Sequence, residues 1–136
     1  MPARGFLIVA RDVVGGATEF HWRAAMVHAY YALLLEGRDA LLRWGLTMPR
    51  RDNVHTWVRL RFAFAGHPDL KRIGDALDKL VRLRNTASYD LRPSTLFRSP
   101  ADALDAIQKA VDALALLDQI EGDPAQRAVA IASLPP

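Results

Sequence analysis

The sequence contains no cysteine, which excludes disulfides, thiolate metal sites and cysteine nucleophiles and makes a reducing cytoplasm the expected compartment. Long apolar runs are also missing. The two longest, Phe6 to Ala10 and Tyr30 to Leu35, fall far short of the roughly 20 residues of a membrane span. No secretory leader is expected, because the start does not present a charged segment, an apolar segment and a cleavage site in order. Several catalytic signatures are absent as well: there is no phosphate-cradling glycine loop, no His-Glu-x-x-His and no nucleophile elbow. Neither a cofactor nor a metal is expected on these grounds. Lysine is scarce, with only Lys71, Lys79 and Lys109 among 18 basic residues. Nearly all the positive charge is therefore arginine, the better residue for bidentate phosphate contacts, although a GC-rich genome produces the same bias.

At 136 residues the chain fits one domain, able to bury roughly two thirds of its extended-chain surface. The net charge of +3 is unevenly spread: residues 43–98 hold twelve basic and five acidic side chains, whereas residues 99–123 hold one lysine and six acidic ones. A basic middle beside an acidic last helix gives mild support to an anionic partner.

The most informative stretch is Leu70 to Tyr89. At about 100° per residue, Leu70, Ile73, Leu77, Leu80 and Val81 share one face, and Lys71, Arg72, Asp75, Asp78, Lys79 and Arg82 cover the other. Arg84 lands within roughly 20° of the middle of the apolar stripe, where an unpaired charge is costly. Two roles are open to it. It closes the helix, pairing with a carboxylate or the last carbonyls while its stem covers apolar surface, or it lines a crevice and meets a phosphate with its fork of donors.

Upstream, Phe6 to Val14 reads as a short helix, with a strand as the alternative, and Gly15-Gly16 turns the chain. Thr18 caps a second helix that runs to about Trp44 and stops at Gly45. This helix has two apolar stripes, Phe20, Ala24, Val27, Tyr31, Leu34 and Leu41 on one side and Trp22, Met26, Ala29, Leu33, Ala40 and Trp44 on another. It is expected to be central to a bundle or shared with a second subunit. His21 and His28 are two turns apart, too far for a shared metal, and are assigned to packing or solvent. After a loop containing Pro49, Asp52 or Asn53 caps a third helix through about Ala65. Its start interleaves Arg50, Arg51, Arg59 and Arg61 with His55 and Trp57, a mixture able to hold phosphates and stack bases or to form a solvated face with Trp57 turned inward. Gly66 and Pro68 separate it from the organising helix, and Pro93 ends that helix by about Leu91. Ser99-Pro100-Ala101-Asp102 starts a helix to about Ile120, with Leu104, Ile107, Val111, Leu114 and Leu117 inward. Residues 125–134 form one more short helix. The expected architecture is all-α, an antiparallel up-and-down four-helix bundle with short additional terminal helices.

Candidate chemistry gathers at the end of the organising helix. Arg84 and Ser88 share a face, and Asn85 and Tyr89 share the next. With Asp90 they offer a cation, an amide, two hydroxyls and a carboxylate within one turn. Asp75 and Asp78 are read as solvated ion-pair partners rather than metal ligands.

Taken together, the run R-A-A-M-V-H-A-Y-Y-A-L-L-L-E-G-R-D-A-L-L in the second helix and L-V-R-L-R-N-T-A-S-Y-D after the third resemble the HEPN domain. The likeness is to its small prokaryotic branch, which carries an arginine-asparagine-x-alanine-x-tyrosine-aspartate signature. The resemblance covers about Thr18 to Ile120. It implies a short N-terminal helix and turn over residues 1–16, a HEPN-like bundle over 17–121 and a short C-terminal helix and tail over 122–136. It further implies a cytoplasmic homodimer of a toxin-antitoxin or defence system, with the signature beside a shared cleft. The expected partners are RNA or a nucleotide, together with a nucleotidyltransferase-type protein. In nuclease members an arginine is followed after four to six residues by a histidine. Here the positions five to seven after Arg84 are Tyr89, Asp90 and Leu91, no histidine follows Arg84, and Ser88 replaces the acidic residue usual in this branch.

Proton transfer works best with a group titrating near the working pH, to which a tyrosine hydroxyl is poorly suited. Two readings follow. In the first, the protein binds RNA and cleaves it without metal at a degenerate Arg-x(4-6)-His site, with Arg84, Asn85 and Tyr89 catalytic and Ser88, Asp90, Arg50, Arg51 and His55 binding substrate. His55 or His28 then supplies the missing base. In the second, it is a non-catalytic helical interaction module, an antitoxin or nucleotidyltransferase partner, with the same residues at its interface.

Overall fold

The computed structural model describes residues 2–50, 53–92 and 96–136. Among these the chain is all-helical, with α1 at Gly5–Val14, α2 at Glu19–Arg43, α3 at Val54–Ala63, α4 at Pro68–Tyr89, α5 at Ala101–Glu121 and α6 at Pro124–Ala132. The N-terminal segment is thus a helix rather than a strand. Local chemistry sets several boundaries. The Thr18 hydroxyl accepts from the His21 amide at the start of α2, and Asn53 accepts from the His55 and Thr56 amides at the start of α3. Such caps satisfy amides that have no intrahelical acceptor. Asp52, the other candidate cap, lies outside the described residues, as does Pro93. The α4 cap is His67, whose ring accepts from the Asp69 amide, with Pro68 in the first turn. Ser99 Oγ accepts from the Ala101 amide before α5. Gly45 ends the second helix at φ 92°, a conformation that costs glycine little.

Helix α2 is the centre of the molecule, packing against α1, α3, α4 and α5. Its two apolar sides explain this: Met26, Ala29, Leu33 and Ala40 on one and Leu34 and Leu41 on the other are buried, Val27 and Tyr31 pack half-buried beside the latter, and Tyr30, outside both stripes, is buried as well. Phe20, placed by periodicity in an inward stripe, is instead 77% exposed, while Trp22 in the same turn packs against the core. The apolar face of α4 (Leu70, Ile73, Leu77, Leu80) is fully buried, each leucine-sized side chain contributing about 1.5–3 kcal/mol.

Helix α5 corrects one expectation. Leu104 is 51% exposed, and the buried stripe runs through Ala103, Ala106, Ile107, Ala110, Leu114 and Leu117. Small alanines let α5 lie close to its neighbours, so the contact face is rotated away from Leu104. Close approach also fixes α3. A Cβ on Gly74 of α4 would lie 2.7 Å from the Ala63 amide nitrogen, and one on Gly37 of α2 would lie 3.1 Å from the Phe62 ring. Only glycines permit α3 to sit this deeply between α2 and α4, and α3 carries His55. No helix among the described residues is long and apolar enough to cross a membrane.

Candidate nucleic-acid interface

The last turns of α4 are anchored by an arginine that periodicity did not single out. Arg23 of α2 is 5% exposed. Its Nη1 donates to the carbonyls of Thr86, Ala87 and Asp90 at 3.1, 3.2 and 2.6 Å, and its Nε donates to Glu19 at 2.9 Å. Its guanidinium lies 4.2 Å from the centre of the Phe97 ring. Phe97 is buried and holds φ at 71°, a left-handed conformation costing a non-glycine residue about 1–3 kcal/mol, which its docking on Arg23 helps offset. The carbonyl-closing role open to Arg84 therefore belongs to Arg23.

Arg84 does something else. Its Nη2 donates to the Tyr31 hydroxyl at 2.7 Å and its Nη1 to the Asn85 side-chain oxygen at 3.0 Å. Its Nε is buried without an acceptor. The guanidinium carbon lies 5.6 Å from the Tyr31 ring centre and 5.5 Å from that of Tyr89, within cation–π range of both. No carboxylate among the described residues reaches ion-pair distance. The Tyr31 bond is the chief cause of a raised Arg84 pKa, so the group is cationic at any working pH. Two of its five N–H groups are used and Nε–H is buried, leaving the outer Nη hydrogens for an anion.

Helix α3 brings His55 to the same place. Its ring stacks on Tyr30 at 5.6 Å and meets Tyr31 edge-on at 6.0 Å, and its Nδ1 is hydrogen-bonded to the Tyr30 hydroxyl at 2.7 Å. Burial, then the Arg84 and Arg59 charges, lowers the His55 pKa. Tyr30 is pushed up to about 12, by burial against the opposing pull of Arg59 and Arg84. Arg59 itself is paired with Asp78 at 3.6 Å.

The remaining candidates spread outward. Tyr89 and Asn85 are exposed and, with Thr86, Asp90, Leu91 and Arg92, line an open groove at the end of α4. Asp90 is occupied by Arg92, whose Nε and Nη2 donate to it at 2.9 and 2.8 Å. This fork and the Arg92 amide hold its carboxyl down to about 2. Ser88 is exposed on α4, and Arg50 is exposed before α3; neither joins the contacts around Arg84. Arg51 lies outside the described residues. Trp57 is buried, leaving the Arg61 guanidinium 5.5 Å from its ring. His21 bonds Thr18 through Nδ1 at 2.6 Å and His28 stacks on Phe6 at 5.9 Å, both structural placements.

The groove between α4 and α5 is electrostatically different, because Asp75 and Asp112 there stand among Arg72, Lys79 and Lys109. The residues that sequence reasoning passed over are Arg23, Tyr30 and Tyr31. A buried tyrosine hydroxyl needs a partner, so the adjacent pair Tyr30-Tyr31 at the head of the apolar run to Leu35 was the available signal. No family model, no curated protein and no solved structure matches this chain.

Proposed function

We propose that this is a HEPN-like protein that works as a cytoplasmic homodimer within a toxin-antitoxin or defence system and binds RNA phosphates at Arg84. One observation carries the reading. A partly buried guanidinium is clamped by a hydroxyl and an amide between two tyrosine rings, with no carboxylate among the described residues to neutralise it. An arginine that serves only the fold is paired, as Arg23 is with Glu19 and three carbonyls. Arg84 is instead held in position with its charge available, and a phosphodiester is the anion its planar fork fits best. The exposed Tyr89 ring beside it offers a surface on which a base stacks.

The order of the two sequence motifs supports the HEPN assignment, as does the packing. Helices α2, α3, α4 and α5 form, in this proposal, the antiparallel up-and-down four-helix bundle. The contacts of α2 with the other three, of α3 with α4 and of α4 with α5 support that arrangement. Metal-independent cleavage at a degenerate Arg-x(4-6)-His site would need, in addition, a group to take the 2′-hydroxyl proton. His55 is the imidazole in contact with the Tyr31 ring.

A second reading, the non-catalytic interaction module, is favoured by a different observation. Tyr89 and Leu91 are 72% and 75% exposed beside Arg84. Phe20 is exposed on the turn of α2 that also carries Arg23, so one end of the molecule shows three large apolar side chains. A second subunit or a nucleotidyltransferase-type partner seated there would cover them.

Arg84→Ala separates the two. RNA binding and cleavage are measured in EDTA at matched dimer concentration for the wild type and the variant. Loss of one charged contact predicts RNA affinity about ten-fold weaker or more with the dimer intact. Unchanged affinity with dissociation of the dimer would establish the interaction module instead. Cleavage that survives chelation and vanishes in Arg84→Ala would make the site an active one.

A further inference from the structure

Tyr30 is fully buried on α2, and its hydroxyl has one hydrogen-bond partner among the described residues, His55 Nδ1 at 2.7 Å. A phenol in that position keeps its proton, and the proton must be given to an acceptor. Left unpaired in a dry site, the O–H would cost about 1–3 kcal/mol. Nδ1 is the acceptor available to it among the described residues, so Nδ1 carries a lone pair rather than a hydrogen. The single hydrogen of the neutral imidazole is then on Nε2.

The alternatives are worse. With a hydrogen on Nδ1, in either the other tautomer or the imidazolium, Tyr30 would have to accept and its own hydrogen would be orphaned. The imidazolium would also face two cations, Arg59 from its own helix and Arg84 from α4, and among the described residues the α2 side offers it the rings of Tyr30 and Tyr31. Nε2 has no protein partner among the described residues, yet it is not one of the buried unpaired atoms. It therefore reaches solvent, on a ring whose centre lies 6.0 Å from that of Tyr31, the residue whose hydroxyl holds Arg84.

We infer that Tyr30 is a positioning residue whose buried hydroxyl locks His55 in the tautomer with hydrogen on Nε2, making His55 a second hydrogen-bond donor to the anion held by Arg84. This rests on the RNA reading of Arg84 and refines it. His55 gives a hydrogen bond to a non-bridging phosphate oxygen and does not take a proton from the 2′-hydroxyl, so the site as built grips the backbone rather than cutting it. Serving as a base at Nε2 would require Tyr30 to surrender the Nδ1 acceptor.

The test is long-range nitrogen–proton NMR of the imidazoles in the ¹⁵N-labelled full chain at pH 7.5 without RNA. The expected His55 signature is an unprotonated Nδ1 and a protonated Nε2. In Tyr30→Phe, which removes one oxygen and leaves the ring, the signature moves toward a mixture of tautomers and the ring titrates at higher pH. A hydrogen on Nδ1 in the wild type overturns the inference.

RNA affinity supplies the second arm. His55→Gln, which retains a side-chain N–H donor, is expected within about three-fold of wild type, and His55→Ala about ten-fold weaker. Equal losses in both would overturn the donor role. The tautomer is measured without RNA, so its failure is independent of Arg84→Ala. Unchanged affinity in Arg84→Ala overturns the RNA reading and, with it, the role of His55 toward the anion.

Discussion

Replacing Arg23 by methionine keeps most of the stem and deletes the guanidinium, so it isolates the closure of α4. Three carbonyls, those of Thr86, Ala87 and Asp90, lose a charged donor at 3.1, 3.2 and 2.6 Å, and the Phe97 ring loses the cation 4.2 Å from its centre. A hydrogen bond to a charged group contributes about 1.5–3 kcal/mol, but the three share one nitrogen and do not add in full. The Glu19 pair is discounted because Glu19 is half exposed. Breaking a buried charged network costs about 3–5 kcal/mol, and partial rehydration of the freed carbonyls places this variant near the lower end, about 3 kcal/mol. For a chain of this size each kcal/mol moves the melting temperature by roughly 3 °C, so a fall of about 10 °C is expected. Thermal unfolding followed by circular dichroism measures it. Hydrogen exchange adds a local reading, since the Asp90 amide, bonded to the Thr86 carbonyl at 3.0 Å, should exchange faster in the variant. Arg23→Lys retains the charge without the fork and should recover only part of the loss. A fall below about 3 °C with unchanged Asp90 exchange would refute the idea that Arg23 closes the helix presenting Arg84.

Two further outcomes are expected. Gly74→Ala gains about 1 kcal/mol of helix propensity, yet its Cβ would meet the α3 backbone at 2.7 and 2.8 Å; overpacking of about 1–3 kcal/mol or more wins, and urea titration should show net destabilisation, whereas stabilisation would mean that α3 shifts freely. For Asp90 the folded value of about 2 lies below the ordinary 3.8, so its contribution is present above about pH 4 and is lost as pH falls through 2. Carboxyl ¹³C titration checks this, with Arg92→Ala returning Asp90 to its ordinary range and an unshifted wild-type carboxyl contradicting the fork.

Much of the fold was legible because it depends on patterns that survive along one dimension. The two apolar sides of α2, the Thr18 cap, the α4 stripe and the stop at Gly45 are each determined by residues within a turn or two of one another. Leu104 and Phe20 were misplaced for a reason periodicity cannot register. A helical wheel says which residues share a face, but the neighbouring helices decide how far that face is rotated and where its cover ends. On α5 the alanines outrank a leucine because they allow closer approach. At the start of α2, Phe20 falls on the side that the described helices leave uncovered.

The candidate site was half legible for a related reason. An arginine in an apolar stripe is visible as an anomaly, and Arg84 stood out on that ground. What resolves the anomaly comes from elsewhere in the chain: the Tyr31 hydroxyl is 53 residues away, and the carbonyls that Arg84 was a candidate to close are taken by Arg23, more than 60 residues from them. Both partners sit on α2, two turns apart, on the helix every other part of the site packs against. Arg23 occupies the carbonyls at the end of α4, and Tyr31 holds Arg84 through a hydroxyl that does not cancel its charge. The placement of Arg84 beside Tyr89, without a carboxylate among the described residues, is therefore a product of α2 as much as of the residues on α4, and substitutions at Arg23 or Tyr31 belong in any dissection of that site.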